Sequence, residues 1–143
     1  MKTLHKSCII PYLAEDMYNL VANIKSYPDF VPYCGSADIV SEQDNVVRAF
    51  IEFNFQGINK KFITENKMEP HKKITMKLID GPLDALLGSW EFTQVNDTSS
   101  KINLNINYAV SGFAYASIFE LVIGSVSDKI LKSFVNRAHN IYG

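Results

Sequence analysis

Three histidines and two cysteines are the side chains here best suited to metal, nucleophilic or proton-transfer chemistry near neutral pH: His5, His71, His139, Cys8 and Cys34. Their placement argues against such a site. The histidines fall in the first alternating segment, in a Pro70-His71 turn and in the last amphipathic stretch, with no ligand spacing among them. Neither cysteine has a histidine or carboxylate near it in a nucleophile-like pattern. Two cysteines make neither a metal-type pair nor a disulfide framework, so reduced thiols in a cytoplasmic setting are the simplest reading. General acid–base work needs positioned pairs of titratable groups, whereas the carboxylates lie mostly on polar faces or in turns. No phosphate-binding glycine loop is present. The expectation is a protein that binds rather than catalyses, with no catalytic residue, metal or cofactor.

Charge offers a second kind of chemistry. Between Asn59 and Lys77 stand six lysines (Lys60, Lys61, Lys67, Lys72, Lys73 and Lys77) against Glu65 and Glu69, in a chain whose net charge is −1. On a hairpin edge this basic segment suits nucleic-acid phosphates or an anionic membrane surface. The same lysines would equally guard a solvated strand edge against strand addition. No aromatic stacking set interleaves with them, so base-specific RNA readout is not expected, nor is DNA binding.

The elements that must position these groups follow from periodicity. Lys2 to Ile10 reads as a strand closed by Pro11. From Ala14, Met17, Leu20, Val21 and Ile24 keep helical spacing, with Glu15 and Asp16 in the favourable first turn. Tyr27 to Gly35, with two prolines and a glycine, reads as a loop or helical turn carrying an apolar payload. Val47, Ala49, Ile51, Phe53 and Phe55 then share one strand face. Ile58 to Met68 is a weaker strand, and Ile74, Met76 and Leu78 mark the next. Leu86, Gly88, Trp90 and Phe92 follow, and beyond an Asn96–Ser100 loop come Ile102, Leu104, Ile106, Tyr108 and Val110, alternating with asparagines. About six strands at hairpin spacing are expected after the first helix.

The final segment returns to helical spacing through Phe119, Val122, Val126, Ile130, Phe134 and Ile141. Such a helix of about 25 residues would run roughly 37 Å. The apolar run from Ser117 to Val126 carries Glu120 and is too short to cross a bilayer, and the N-terminal apolar run is too short for a secretory signal.

At 143 residues and 47% hydrophobic content the chain suits one domain, residues 1–143, and excludes disorder. The order predicts an α+β domain: a curved antiparallel sheet gripping the long C-terminal helix, which alone would cover its apolar face. The space between them is a candidate ligand tunnel. On this register Phe53, Phe55, Met76, Leu78 and Trp90 face inward, as do Phe92, Leu104, Ile106 and Tyr108. Phe119, Ile123 and Val126 would close the tunnel from the helix, with Tyr27, Phe30 and Val31 at its mouth. A lipid-like molecule suits such a lining, because each buried CH₂ contributes about 0.8 kcal/mol.

Leu20 to Cys34, LVANIKSYPDFVPYC, resembles the entry motif of the coenzyme Q-binding START-domain proteins, a family whose bacterial members include ribosome association toxins. Asp80-Gly81-Pro82-Leu83 with Leu87, Gly88, Trp90 and Phe92 is similar to that family's second motif. Phe134, Arg137, Ala138 and Tyr142-Gly143 resemble its C-terminal signature. Tyr33 replaces a usual Trp and Leu83 a usual Phe, which would alter a pocket mouth but not the fold. The resemblance implies a helix-grip fold with a hydrophobic tunnel, binding of a ubiquinone-like quinone and support of respiration. It implies alternatively a toxin that binds the 50S subunit and blocks subunit association; either reading places the protein in the cytoplasm or peripheral to the inner membrane. Arg137, close to the apolar stripe, is read as a structural residue.

Overall fold

The computed structural model describes residues 2–55, 57–111 and 129–143. Strand β1 (Lys2–Ile10) leads into helix α1 (Ala14–Ala22) and a 3₁₀ helix (Ile24–Asp29). Six strands follow: β2 (Cys34–Gln43), β3 (Val46–Phe55), β4 (Ile58–Glu69), β5 (Lys73–Asp80), β6 (Ala85–Gln94) and β7 (Ser100–Ala109). Residues 129–142 form the described part of the C-terminal helix. The strands make one antiparallel sheet in the order β1-β7-β6-β5-β4-β3-β2. Successive hairpins build β2 through β7, and β1 then pairs with β7, from Lys2 opposite Tyr108 to Ile10 opposite Ser100.

Local sequence explains the breaks. Asn23 leaves helical geometry at φ −83°, ψ 72°, so Ile24 belongs to the 3₁₀ helix and not to α1, as its spacing suggested. Asp44 and Asn45, both in the left-handed region, make the two-residue turn between β2 and β3, a role their short polar side chains favour. Gly57 takes φ 82° between β3 and β4. Strand β2 covers residues for which the sequence showed no alternation, and it takes in Cys34 and Gly35 from the expected loop. Register shifts at Cys34/Ser36 and Ile39/Ser41 scramble its period of two.

The core lies on one face of the sheet, with Ile10, Met17, Ile102 and Leu104 almost completely enclosed. The cover differs from the expected single helix. Met17, Tyr18, Leu20 and Val21 of α1 are buried against the same face, and Tyr18 meets Phe92 edge-on at 5.7 Å between ring centroids. The C-terminal helix buries Leu131, Phe134 and Ala138, at i, i+3 and i+7. Its buried stripe is therefore rotated from the expected one: Ile130 is half-buried and Ile141 exposed.

The β4–β5 hairpin lies inside the sheet, whose edges are β1 and β2, so its lysines guard no edge. Among the described residues no helix is long and apolar enough to cross a membrane.

Candidate functional site

Alternation along β4, β5 and β6 puts Asn66 and Met68, Ile74 and Met76, and Trp90 on the inner face, where α1 ends and the 3₁₀ helix begins. Val21, Ala22, Ile24 and Tyr27 complete the lining of a cavity of about 20 Å³, room for one water-sized group. The walls are apolar apart from two side chains. Tyr27 is one, and its hydroxyl donates to the Val21 carbonyl, while burial and the neighbouring Cys34 raise its pKa far above the ordinary phenol range. Asn66 is the other. It is 4% exposed, and its Oδ1 has no hydrogen-bond partner among the described residues.

An aromatic cluster anchors the C-terminal helix beside this cavity. Phe134 meets Trp90, Tyr27 and Phe30 edge-on at centroid distances of 5.0, 5.3 and 5.0 Å. Burying such a side chain contributes about 1.5–3 kcal/mol before the aromatic geometry adds its share. The Arg137 guanidinium lies 5.2 Å from the Phe30 ring centroid, a cation–π contact that fits the structural role expected of it. Nearby, Lys129 Nζ donates to the Tyr33 hydroxyl at 3.4 Å, and Tyr33 packs edge-on against Phe55.

The thiols are separate and free. Burial pushes Cys34 up to about 11, a backbone hydrogen bond at Ser36 offsetting part of the shift, and burial also raises Cys8. Both stay protonated near neutral pH, the opposite of an activated nucleophile. Among the described residues no group of three or more His, Cys, Asp and Glu is arranged to hold a metal ion.

The fold and this site can be set beside known proteins. Residues 10–135 match the family described as polyketide cyclase / dehydrase and lipid transport. This chain belongs to that family. Among relatives, a ribosome association toxin, RatA, of Vibrio cholerae is 29% identical over 143 residues, covering 100% of this chain and 99% of that one. A coenzyme Q-binding protein, COQ10 homolog B of Xenopus laevis, is 22% identical over 142 residues, 96% of this chain and 58% of that one. The Zhui aromatase/cyclase from Streptomyces sp. R1128 shares the fold, with a TM-score of 0.86 at 13% identity over 99% of this chain and 96% of that one. The expected α+β helix-grip architecture is thus the observed one.

Within this cyclase and lipid-transport fold, the expected tunnel residues separate into groups. Tyr27, Met76 and Trp90 line the cavity. Val31, Phe92 and Leu104 are core, with Phe30, Phe53 and Ile106 packed against it. Leu78 and Tyr108 belong to a second cluster around Leu83. Phe55 contacts Tyr33 instead of the cavity, and Phe119, Ile123 and Val126 lie outside the described residues. The sequence missed Val21, Ala22, Ile24, Asn66, Met68 and Ile74 as lining. Asn66 and Met68 share one face of β4 at spacing two, a signal that the polar Asn66 itself obscured.

The lysines divide as well. Lys61, Lys67, Lys73 and Lys77 stand on the outer face, whereas Lys60 shares the parity of Asn66 and points inward, and Lys72 sits in the β4–β5 turn. Carboxylates interrupt the outer group: Lys73 reaches Glu91 at 4.0 Å, and Arg48 binds Glu65 at 3.3 Å. Lys61 Nζ lies 4.2 Å from the Phe50 ring centroid.

Proposed function

We propose that this chain is a ribosome-associating protein that binds the large subunit and impedes subunit joining, which sets it in the cytoplasm. The observation carrying this reading is the end-to-end 29% identity with a ribosome association toxin. Outward Lys67 and Lys77, on adjacent strands where Glu65 pairs with Lys77 and Lys67 with Thr75, offer cations to rRNA phosphates. Sedimentation through a sucrose gradient tests it. The protein should travel with the large subunit at low salt and leave it when Lys67 and Lys77 are reversed to Glu. Sedimentation only with free protein at every salt concentration would end this reading.

The family match favours a second, compatible reading: binding of a hydrophobic molecule, of which an isoprenoid quinone is the most specific candidate. Support comes from the lipid-transport part of the family description and from the more distant coenzyme Q-binding relative. The family includes cyclases, but the protonated thiols and the dispersed histidines favour holding a ligand over transforming it. Organic extraction of the purified protein followed by mass spectrometry is the direct test. Protein that yields no lipid and takes up none on titration would sink this second reading.

A further inference from the structure

Among the described residues eight large apolar side chains are exposed, and half of them, Leu13, Val95, Ile141 and Tyr142, belong to one corner of the molecule. Three contacts gather them there. Gln94 Oε1 accepts from the Ala14 N–H at 2.8 Å, which sets Leu13 at the strand end that carries Val95. The Tyr12 ring centroid lies 5.8 Å from that of Tyr142, and the Tyr142 hydroxyl donates to the Asp16 carbonyl at 3.1 Å. The last turn of the C-terminal helix thus meets the first turn of α1 beside the β6–β7 hairpin.

Leu13 stands at the N-cap of α1, where Ser, Thr, Asp or Asn would hold a free helix N–H, and its side chain makes no such bond. Gln94, from a distant part of the chain, serves Ala14 in its place. The helix gains nothing from a leucine there, and gathered exposed apolar groups mark surfaces of interaction. The border of this corner is acidic. Glu15 and Asp16 follow Leu13 in the first turn of α1, and Asp97 lies two residues beyond Val95 in the hairpin. Burial and the Asp16 carboxylate together raise the Tyr142 phenol above its ordinary range, which sets that carboxylate against the patch. His71 reaches Glu15 at 3.8 Å, but among the described residues neither Asp16 nor Asp97 belongs to an ion pair. A second copy of the same corner, or an anionic bilayer, would bring like charges together. A cationic partner would not.

We propose that this corner docks a basic amphipathic segment of another protein. Apolar residues of the segment seat on Leu13, Val95 and Tyr142, while its lysines or arginines face Asp16 and Asp97. The surface is separate from the outer-face lysines and from the cavity, and it is tested independently of both readings above.

The probe is a fluorescent peptide of about five helical turns, with leucine at i, i+3, i+4 and i+7 and lysine elsewhere. Its control carries glutamate in place of every lysine. By fluorescence anisotropy, wild type should bind the lysine peptide about tenfold more tightly, and the gap should narrow as salt is raised. Leu13→Ser with Val95→Ser should weaken that binding about tenfold, and serine at the N-cap keeps α1 in place. Asp16→Asn with Asp97→Asn should remove the preference between the two peptides. Ile79→Ser with Leu87→Ser, at exposed apolar residues elsewhere on the molecule, should change nothing. Thermal melts establish that each variant is folded. Equal affinities for the two peptides, binding of neither, or an equal loss in the Ile79 and Leu87 variant would overturn the assignment. So would self-association, or attachment to phosphatidylglycerol vesicles, that disappears in the Leu13 and Val95 variant, since each names a different occupant.

Discussion

On the outer face of β7, Asn103, Asn105 and Asn107 stand in a row beside β1, where Thr3 donates to the Asn107 side chain at 2.8 Å and His5 is hydrogen-bonded to Asn105. On the inner face of β4 a single asparagine, Asn66, is enclosed by apolar groups with its oxygen unmatched. The same side chain is inexpensive in one place and costly in the other, because water or a strand neighbour satisfies the outer amides while nothing described satisfies the inner one. Outer polarity keeps the sheet wet on that side and sets no particular partner. Inner polarity carries a cost that only a donor small enough for the 20 Å³ cavity, such as one water, can offset.

The contrast can be broken most severely at Trp90. Trp90→Ala should cost about 3–5 kcal/mol in denaturant unfolding, since it empties the space that Phe134 and Phe92 pack against. Asn66→Leu sharpens the contrast in the other direction. Removing the unmatched amide should raise stability by about 1–3 kcal/mol in denaturant unfolding, whereas Asn105→Leu on the outer face should bring no such gain.

A pH series separates the faces next. Cys34 ionises near 9 when unfolded and near 11 when folded, so the protonated folded state holds its full advantage below about 9 and loses it as pH rises towards 11. The raised Tyr27 continues the loss at higher pH. Cys34→Ala should flatten the decline between pH 9 and 11, as followed by urea midpoints at each pH. The smallest stability effect belongs to the outer face. Lys67→Glu with Lys77→Glu should leave the unfolding free energy within about 0.5 kcal/mol of wild type while abolishing co-sedimentation with the large subunit.

The outer face was also the more legible in sequence. Strand β7 alternates asparagine with Ile102, Leu104 and Ile106, and that pattern alone assigns its two faces. Strand β2 was illegible because its bulges interrupt the alternation and much of it is exposed. The share of the cover taken by α1 was visible as an amphipathic stripe, but not which element that stripe would meet. The cavity was the hardest to foresee. Its key polar group breaks the hydrophobic pattern by which inward residues are recognised, and Leu78 and Tyr108, which fit the pattern, pack in a different cluster. Periodicity gives a residue its face, and three-dimensional packing decides which neighbours share it.

The pairing of β1 with β7 also sets a schedule. β1 is made first, yet its partner begins at Ser100, about ninety residues later. At roughly 5–20 residues per second a ribosome takes about 5–20 s to supply that partner. Throughout that interval the backbone donors and acceptors of β1 have no native strand beside them, while β2 through β6 can already form hairpins in turn. The sheet thus grows from its β2 edge towards β7, and its final seam joins the oldest part of the chain to one of the newest, so truncation before β7 leaves β1 without its place.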